Sequence, residues 1–461
     1  MQLDRRQSLV LESVRRFLRR SAPGHLLNLL AKTRPQDFAP IYANLTDREQ
    51  AQVFRILAGR DQELGAALLA ELPQGEGPAL LRRLGPAASA ALLDRCADDD
   101  AAYLLAELGD DEARAILEAM KPEEKQAVEQ LLIYEEETAG RIMTPDVFSL
   151  HEETTVGEAI AALQAGGDVE MAFYLYVVDE REHLVGVLSL RELLLHPPET
   201  RLGELMNSDL ITVQTSTDQE EVAKLAAKYD LLAIPVVDEQ GRLVGMVTID
   251  DVVDVLREEA TEDIFRMAGT SEEERIEPSI LKSVRSRFPW LLATCVGGIL
   301  ASMVIASHQD TLANIWGLAA FLPVVLGMGG AAGNQAATVT IRGLATGRIH
   351  EGVFASAVLR ELGVAGLLGL LYGSLVGLAS IVLVTSFAGW DAFPGWSYPL
   401  VIGLSLSASM LIATMVASLV PIALEKGGID PAVSTNPFVS TSSDLLGSLT
   451  YVTLASWLLL Q

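Results

Sequence analysis

The sequence predicts a multi-domain protein with an all-α helical superhelix at its amino terminus, an α/β middle made of two copies of one repeat, and a five-helix transmembrane bundle. Three observations predict it. The first is charge. Of 34 Lys and Arg and 61 Asp and Glu, only seven of each lie beyond Leu281. The part before that point holds 27 basic against 54 acidic residues and carries the whole net charge of −27. The second is a series of five long, nearly charge-free stretches after Arg287, which raises the mean hydropathy to +0.30 despite that charge. The third is an internal repeat between them. These features divide the chain into a helical domain (1–131), the repeats (132–260), a connecting region expected to hold a plug helix (261–286) and the membrane domain (287–461).

The amino-terminal part is built from short Leu- and Ala-rich runs such as "ALLAELP", "ALLRRLGP" and "ALLDRCADDD", interrupted by Pro and Gly. Short helices with such breaks stack into a superhelix. Acidic clusters stand at the predicted helix starts: Asp98, Asp99 and Asp100, then Asp110, Asp111 and Glu112. Asp at a helix start caps free N–H groups and complements the helix dipole, and the same clusters could hold cations. So acidic a region would repel phosphate, which excludes nucleic acid as a partner. Cys96 and Cys295 fall in different parts, so no disulfide framework is expected. The first 20 residues read as a basic amphipathic helix, since no long apolar run follows their charges as in a signal peptide.

In the middle, "YVVDEREHLVGVLSLREL" (176–193) recurs as "PVVDEQGRLVGMVTIDDV" (235–252), offset by 59 residues. Upstream, "IMTPDVFSLHEETTV" from Ile142 matches "LMNSDLITVQTSTDQ" from Leu205 at an offset of 63, so the first copy has four extra residues around "QAGGDVE". Each copy reads strand, helix, strand, turn, strand, helix. After the second copy, Asp250, Asp251, Asp254, Glu258, Glu259 and Glu262 crowd successive helical turns. They form either a solvated face or a regulatory cation site. "EPSILKSVRSRF" then reads as a separate amphipathic helix at the mouth of the bundle.

A bilayer core needs about 20 apolar residues in a helix. The spans lie after Arg287, between Asp310 and Arg342, between Glu361 and Asp391, between Asp391 and Glu425, and from Pro431 to Leu460. With five spans all seven basic residues fall on one side, which places the soluble part in the cytoplasm and the carboxy terminus outside. Gly369, Gly373 and Gly377 suit close helix packing, within one subunit or across a dimer. Pro323 and four glycines predict a weakened second span, followed by Asn334 and Gln335. The fifth span holds Asn436, Thr441 and a carboxylate, Asp444. An ionisable group inside a membrane costs about 2.5–3.5 kcal/mol on insertion scales, and no Lys or Arg lies deep in a span to pair with it. These polar positions read as a pore lining or as bonds between helices.

The repeats resemble a tandem pair of CBS domains, over roughly 138–260. That resemblance implies possible adenine-nucleotide binding, ATP included, at Thr248, Asp250 and Asp251. The whole chain resembles the MgtE magnesium transporters, most specifically in "LPVVLGMGGAAGNQAATVTIRGLATG" and "GIDPAVSTNPFVSTSSDLLG". The resemblance implies a homodimer in the lipid bilayer with a pore between subunits, Mg2+ as substrate and regulator, Asp444 as the pore carboxylate, and Asp430 at the cytoplasmic end. It also implies gating by Mg2+ bound among the acidic residues of the soluble part. This chain has Ala331 where many members have Asn, which leaves Asn334 to supply a nearby amide. Two other readings are a transporter of broader specificity (Mn2+, Co2+) and a membrane-anchored nucleotide sensor without transport. The spans lack His or Cys clusters, which favours a hard cation with oxygen ligands. No H-E-x-x-H pattern occurs, so a membrane metalloprotease is not expected, nor any enzyme.

Overall fold

The computed structural model describes residues 3–73, 75–165, 173–270, 279–309, 317–350, 352–388 and 395–459. It forms two compact units, 1–259 and 260–461.

The first unit begins with ten helices: α1 (Arg5–Arg19), α2 (Pro23–Leu30), α3 (Pro35–Tyr42), α4 (Asp47–Arg60), α5 (Gln62–Ala70), α6 (Glu76–Leu84), α7 (Pro86–Leu93), α8 (Asp98–Ala106), α9 (Asp110–Leu117) and α10 (Pro122–Leu132). Four of them, α2, α3, α7 and α10, begin on a proline, whose missing N–H costs nothing in the first turn. In α4, Thr46 and Glu49 form a reciprocal capping box. Helices two or three places apart pack together, α4 on α7 and α7 on α9, which produces the stacked arrangement. The short α11 (Ala139–Ile142) leads into the repeats.

Each repeat is a three-stranded sheet carrying helices. The first comprises β1 (Ser149–His151), α12 (Val156–Ala165), β2 (Tyr174–Val178), β3 (Leu184–Ser189), α13 (Leu190–Leu195) and the short α14 (Leu202–Leu205). The second comprises β4 (Val213–Gln214), α15 (Gln219–Tyr229), β5 (Ala233–Val237), β6 (Leu243–Thr248) and α16 (Ile249–Met267). In both sheets the first strand is parallel to the second and the second antiparallel to the third. The 59-residue offset survives to the register: Tyr174 faces Ser189 as Ala233 faces Thr248, and both sheets bulge at the equivalent step, Val177/Val178 and Val236/Val237.

The copies embrace one another. The Thr144 N–H donates to the Met246 carbonyl (2.8 Å), and the Val187 N–H donates to the Asn207 carbonyl (3.1 Å). The segment preceding each copy therefore pairs with the last strand of the other. This explains why "IM" and "LM" recur in step with "VG". A Cβ on Gly186 would overlap the Met206 side chain, and one on Gly245 would overlap Met143. The turns meet as well, with the Leu184 N–H on Gly241 O (3.2 Å) and the Leu243 N–H on Glu182 O (3.1 Å).

The cores divide unequally. The second repeat (Val213, Val222, Ile234, Val236, Val247, Val252, Val255) shares one continuous apolar core with the helical domain. The first repeat has its own core around Val156, Leu175, Val177, Leu188, Leu193 and Leu202.

The second unit contains the end of α16 and five long helices: α17 (Ile280–Ser307), α18 (Leu318–Ala345), α19 (Phe354–Ala388), α20 (Ser397–Lys426) and α21 (Thr435–Leu459). A 3-10 turn, Pro431–Ser434, precedes α21. By length and composition α17, α19 and α20 are apolar enough to cross a membrane, among the described residues. The other two are diluted by glycines with Asn334 and Gln335, and by a Ser/Thr/Asp run, the residues the sequence marks as unusual. α20 is central, packing on α18, α19 and α21, while α17 packs on α21.

Two expectations change here. The second span is one unbroken helix of 28 residues. Its glycines act as contact points instead: a Cβ on Gly329 would overlap the Ser409 hydroxyl, and one on Gly333 would crowd Val439. Among the described residues of the expected amphipathic helix, Ile280 to Phe288 form the first turns of α17 itself. Residues 271–278, including Pro278, lie outside the described residues, as do 166–172 of the "QAGGDVE" insertion. The Gly369, Gly373 and Gly377 stripe packs within the chain, against Ser407, Gly403 and Pro399 of α20. The Ser407 hydroxyl donates to the Gly369 carbonyl at 2.7 Å across that crossing.

Candidate cation sites

The starts of α8 and α16 bring together carboxylates 150 residues apart in sequence. Asp98, Asp99 and Asp100 occupy the first turn of α8, whose N-cap is Ala97 with no side-chain cap. The Asp100 N–H donates to Asp99 Oδ1 at 2.9 Å. Asp250 and Asp251 occupy the first turn of α16. Burial raises the Asp99 carboxyl, and Asp250 raises it further. Burial pushes Asp251 up to about 8, with Asp99, Asp250 and Asp100 adding to the rise against the opposing Thr248 hydrogen bond. Asp98 is pushed up to about 6, by burial first and then by Glu124, Asp99 and Asp146. Desolvation and like charges act together here, each disfavouring the ionised form. Beside the cluster, burial raises the Cys96 thiol, and Asp100 and Asp99 raise it further.

The Thr248 hydroxyl lies 2.5 Å from both Asp250 Oδ1 and Asp251 Oδ2. One hydroxyl proton serves only one of them at a time. The equivalent residues of the first repeat form an ordinary helix cap, in which Ser189 and Glu192 satisfy each other's backbone N–H groups.

The rest of the acidic run disperses along α16. Asp254 is exposed. Glu258 Oε1 accepts from the Tyr103 hydroxyl of α8 at 3.4 Å. Glu259 Oε1 accepts from the Gln219 amide of α15 at 2.7 Å. Glu262 pairs with Arg266. The carboxylates of this run thus reach α8, α15 and Arg266 from successive turns of α16. Among the described residues, no group of three or more His, Cys, Asp or Glu forms a ready-made metal site. Sequence reasoning missed Tyr103, Gln219 and Arg266. Only Arg266, four residues after Glu262, leaves a local signal.

In the membrane unit, Asp444 is half-buried on α21. Its neighbour Ser443 is buried against Gly329 and Gly330 of α18. Thr441 fills the space beside Gly297 of α17, which makes it a packing residue between those helices. Asn334 and Gln335 are exposed on α18, in line with Gly327, Ala331 and Thr338. The Asn436 side chain lies outside the described residues. Asp430 caps the turn before α21, accepting from the Ala432 N–H at 2.7 Å, and pairs with Arg266.

Apolar spanning helices joined to a carboxylate-rich repeat unit define a multi-pass membrane protein with an attached non-spanning part. Known proteins narrow the class. A model described as divalent cation transporter, MgtE, matches residues 322–454, and one for the MgtE intracellular N domain matches 33–137. The CBS domain model matches twice, at 139–199 and 202–258. The magnesium transporter MgtE of Thermus thermophilus is 41% identical over 329 residues, 71% of each chain. That of Enterococcus faecalis is 36% identical over 328 residues, 70% of each. Among solved structures, the cytosolic domain of the Mg2+ channel MgtE in complex with ATP superposes with a TM-score of 0.50 at 37% identity, covering 53% of this chain and 99% of its own. The chain belongs to the MgtE family of magnesium transporters.

Proposed function

We propose that this chain moves Mg2+ into the cytoplasm through a homodimeric pore that cytosolic Mg2+ closes. The observation that carries the regulatory half is the like-charged junction of Asp99 and Asp100 with Asp250 and Asp251, beside which Asp98 faces Glu124 and Asp146. Mg2+ sheds water reluctantly and keeps several waters, so it suits a site of few direct carboxylate ligands. Bound there, it would join α8 to α16. Without it, repulsion favours separation, and each ion shifts the population by its preference for the closed state. Glu258, Glu259 and Glu262 extend the sensing surface along α16, while exposed Asp254 remains the weakest member.

The transport half rests on family membership and on Asp444, a carboxylate half-buried in a helix of the membrane unit. Asn334 and Gln335 add polar groups on a face of α18 that the chain itself leaves uncovered. Such a face suits a water-filled path better than lipid. Asn436 completes the proposed lining and Asp430 the cytoplasmic end, while Thr441 packs against Gly297. The dimer is supported by apolar side chains exposed at equivalent places of the two repeats: Phe173 with Leu232, and Leu194 with Val253. The one-sided distribution of the basic residues supports a cytoplasmic amino terminus and an external carboxy terminus.

ATP at Thr248, Asp250 and Asp251 is a subsidiary reading, supported by the ATP complex of the relative. Two carboxylates at a strand–helix turn suit the hydroxyls of a ribose.

The test is Mg2+ flux in proteoliposomes, comparing the parent with Asp444→Ala at low and high Mg2+ on the face bearing the soluble unit. Flux that vanishes in the variant and falls at high Mg2+ upholds both halves. Undiminished flux in the variant removes Asp444 from the pore, and a parent without divalent flux leaves the sensor reading. Comparable Mn2+ or Co2+ flux makes the specificity broader.

A further inference from the structure

The guanidinium of Arg266, near the end of α16, bridges two carboxylates. One is Glu262, a turn earlier on the same helix. The other is Asp430, in the turn before α21, 164 residues further along the chain. Different nitrogens serve the two: Nη2 faces Glu262 Oε1 and Nη1 faces Asp430 Oδ2. The other Asp430 oxygen, Oδ1, accepts from the Ala432 N–H and so caps the 3-10 turn that starts α21. One planar, permanently charged group therefore ties the helix leaving the second repeat to the first turn of the helix that carries Asp444.

We propose that Arg266 is a metal-independent latch that holds α16 to the entrance of α21 and so biases the pore toward its closed state before any Mg2+ binds. The inference deepens the proposed function, because it assigns an internal occupant to two carboxylates, Glu262 and Asp430, that the function gives to cations. A guanidinium presents a fork that serves two carboxylates at once, a geometry that an ammonium lacks. With the three side chains between 29% and 37% exposed, the latch is partly screened and competes with dissolved cations on even terms. Mg2+ on the cytoplasmic side then has to displace the guanidinium before it occupies that pair.

Two consequences follow in opposite directions for one substitution. In Arg266→Gln, flux with no Mg2+ on the cytoplasmic face rises about two- to fivefold, the range a half-exposed ion pair supports. The Mg2+ needed for half-inhibition falls by a similar factor, because no guanidinium has to be displaced from Glu262 and Asp430. Arg266→Lys is intermediate in both. A second measurement needs no transport. With Cys96 and Cys295 replaced by Ser, spin labels at Ala268 and Ile429 report their separation by pulsed electron resonance in EDTA. The parent shows one narrow distance, and Arg266→Gln shows a broad distribution that Mg2+ narrows again.

Parent-like flux and parent-like half-inhibition in Arg266→Gln overturn the latch. So does reduced flux in a folded variant, which would place the guanidinium in the conducting state. An unchanged distance distribution overturns it independently. A parent that carries no Mg2+ removes the proposed function, while the distance measurement still decides whether α16 and α21 are tied through Arg266.

Discussion

The two repeats follow the same register, bulge at the same step and receive the same methionine from outside, yet they end differently. Ser189 and Glu192 close the first as a reciprocal helix cap. Thr248 and Asp251, at the equivalent places, close the second beside Asp99 and Asp100 of α8. The backbone is the same device in both. What differs is the neighbour, since the second repeat shares its core with the helical domain and the first does not. A duplicated fold thus supplies two identical helix starts, and the tertiary contact of one converts a cap into a charged junction.

The largest expected effect tests the shared part. Gly186→Val and Gly245→Val each drive a side chain into a methionine, and each should cost about 1–3 kcal/mol of stability. Thermal unfolding in detergent should show similar losses for both. A loss confined to one copy would break the symmetry of the embrace.

The next effect tests the divergent part. Replacing Asp251, Glu258 and Glu259 by their amides should raise the Mg2+ needed for half-inhibition about tenfold or more, equivalent to about 1.4 kcal/mol of ion preference. Inhibition unchanged by the triple replacement would remove the junction from gating. Glu192→Gln in the first repeat should leave inhibition as it is and cost about 1 kcal/mol of local stability as a weakened cap.

The pH dependence sharpens the same contrast. Asp98 and Asp251 have folded values of about 6 and about 8, above the ordinary 3.8. Acids raised in the folded state support it when protonated. In EDTA the junction should therefore be tightest below about pH 4 and loosen as pH rises through 6 and then 8. Protease cleavage near α8 should increase over that window, Mg2+ should suppress it at pH 8, and Asp251→Asn should abolish the upper step. Cleavage that falls with rising pH would contradict the assignment. The smallest effect is Tyr103→Phe, which removes a 3.4 Å hydrogen bond to Glu258. It should move half-inhibition about twofold or less, as befits a long and exposed bond.

Local pattern was enough to determine the three-part architecture. Charge segregation, the 59-residue offset and the apolar stretches each follow from burial needs that act on neighbouring residues, so they are written in consecutive positions. Pro23, Pro35, Pro86 and Pro122 mark helix starts because a proline ring fits only there, whatever surrounds it. Asp444 could likewise be singled out from its apolar flanks.

Tertiary structure alone decided the partners. Nothing near Asp99 in the chain announces Asp250 and Asp251, because like charges are brought together by packing of the apolar faces beside them. Gly329 and Gly333 read as breaks, since intrinsic propensity counts the missing side chain as a loss. In the folded bundle that same absence lets α18 approach α20 and α21, and dispersion contact across the crossing offsets the propensity. Arg266 reads as one more charge in a charged helix. Only the fold shows that its guanidinium reaches Asp430, since a side chain's partner across 164 residues depends on where two helices end and not on either local sequence.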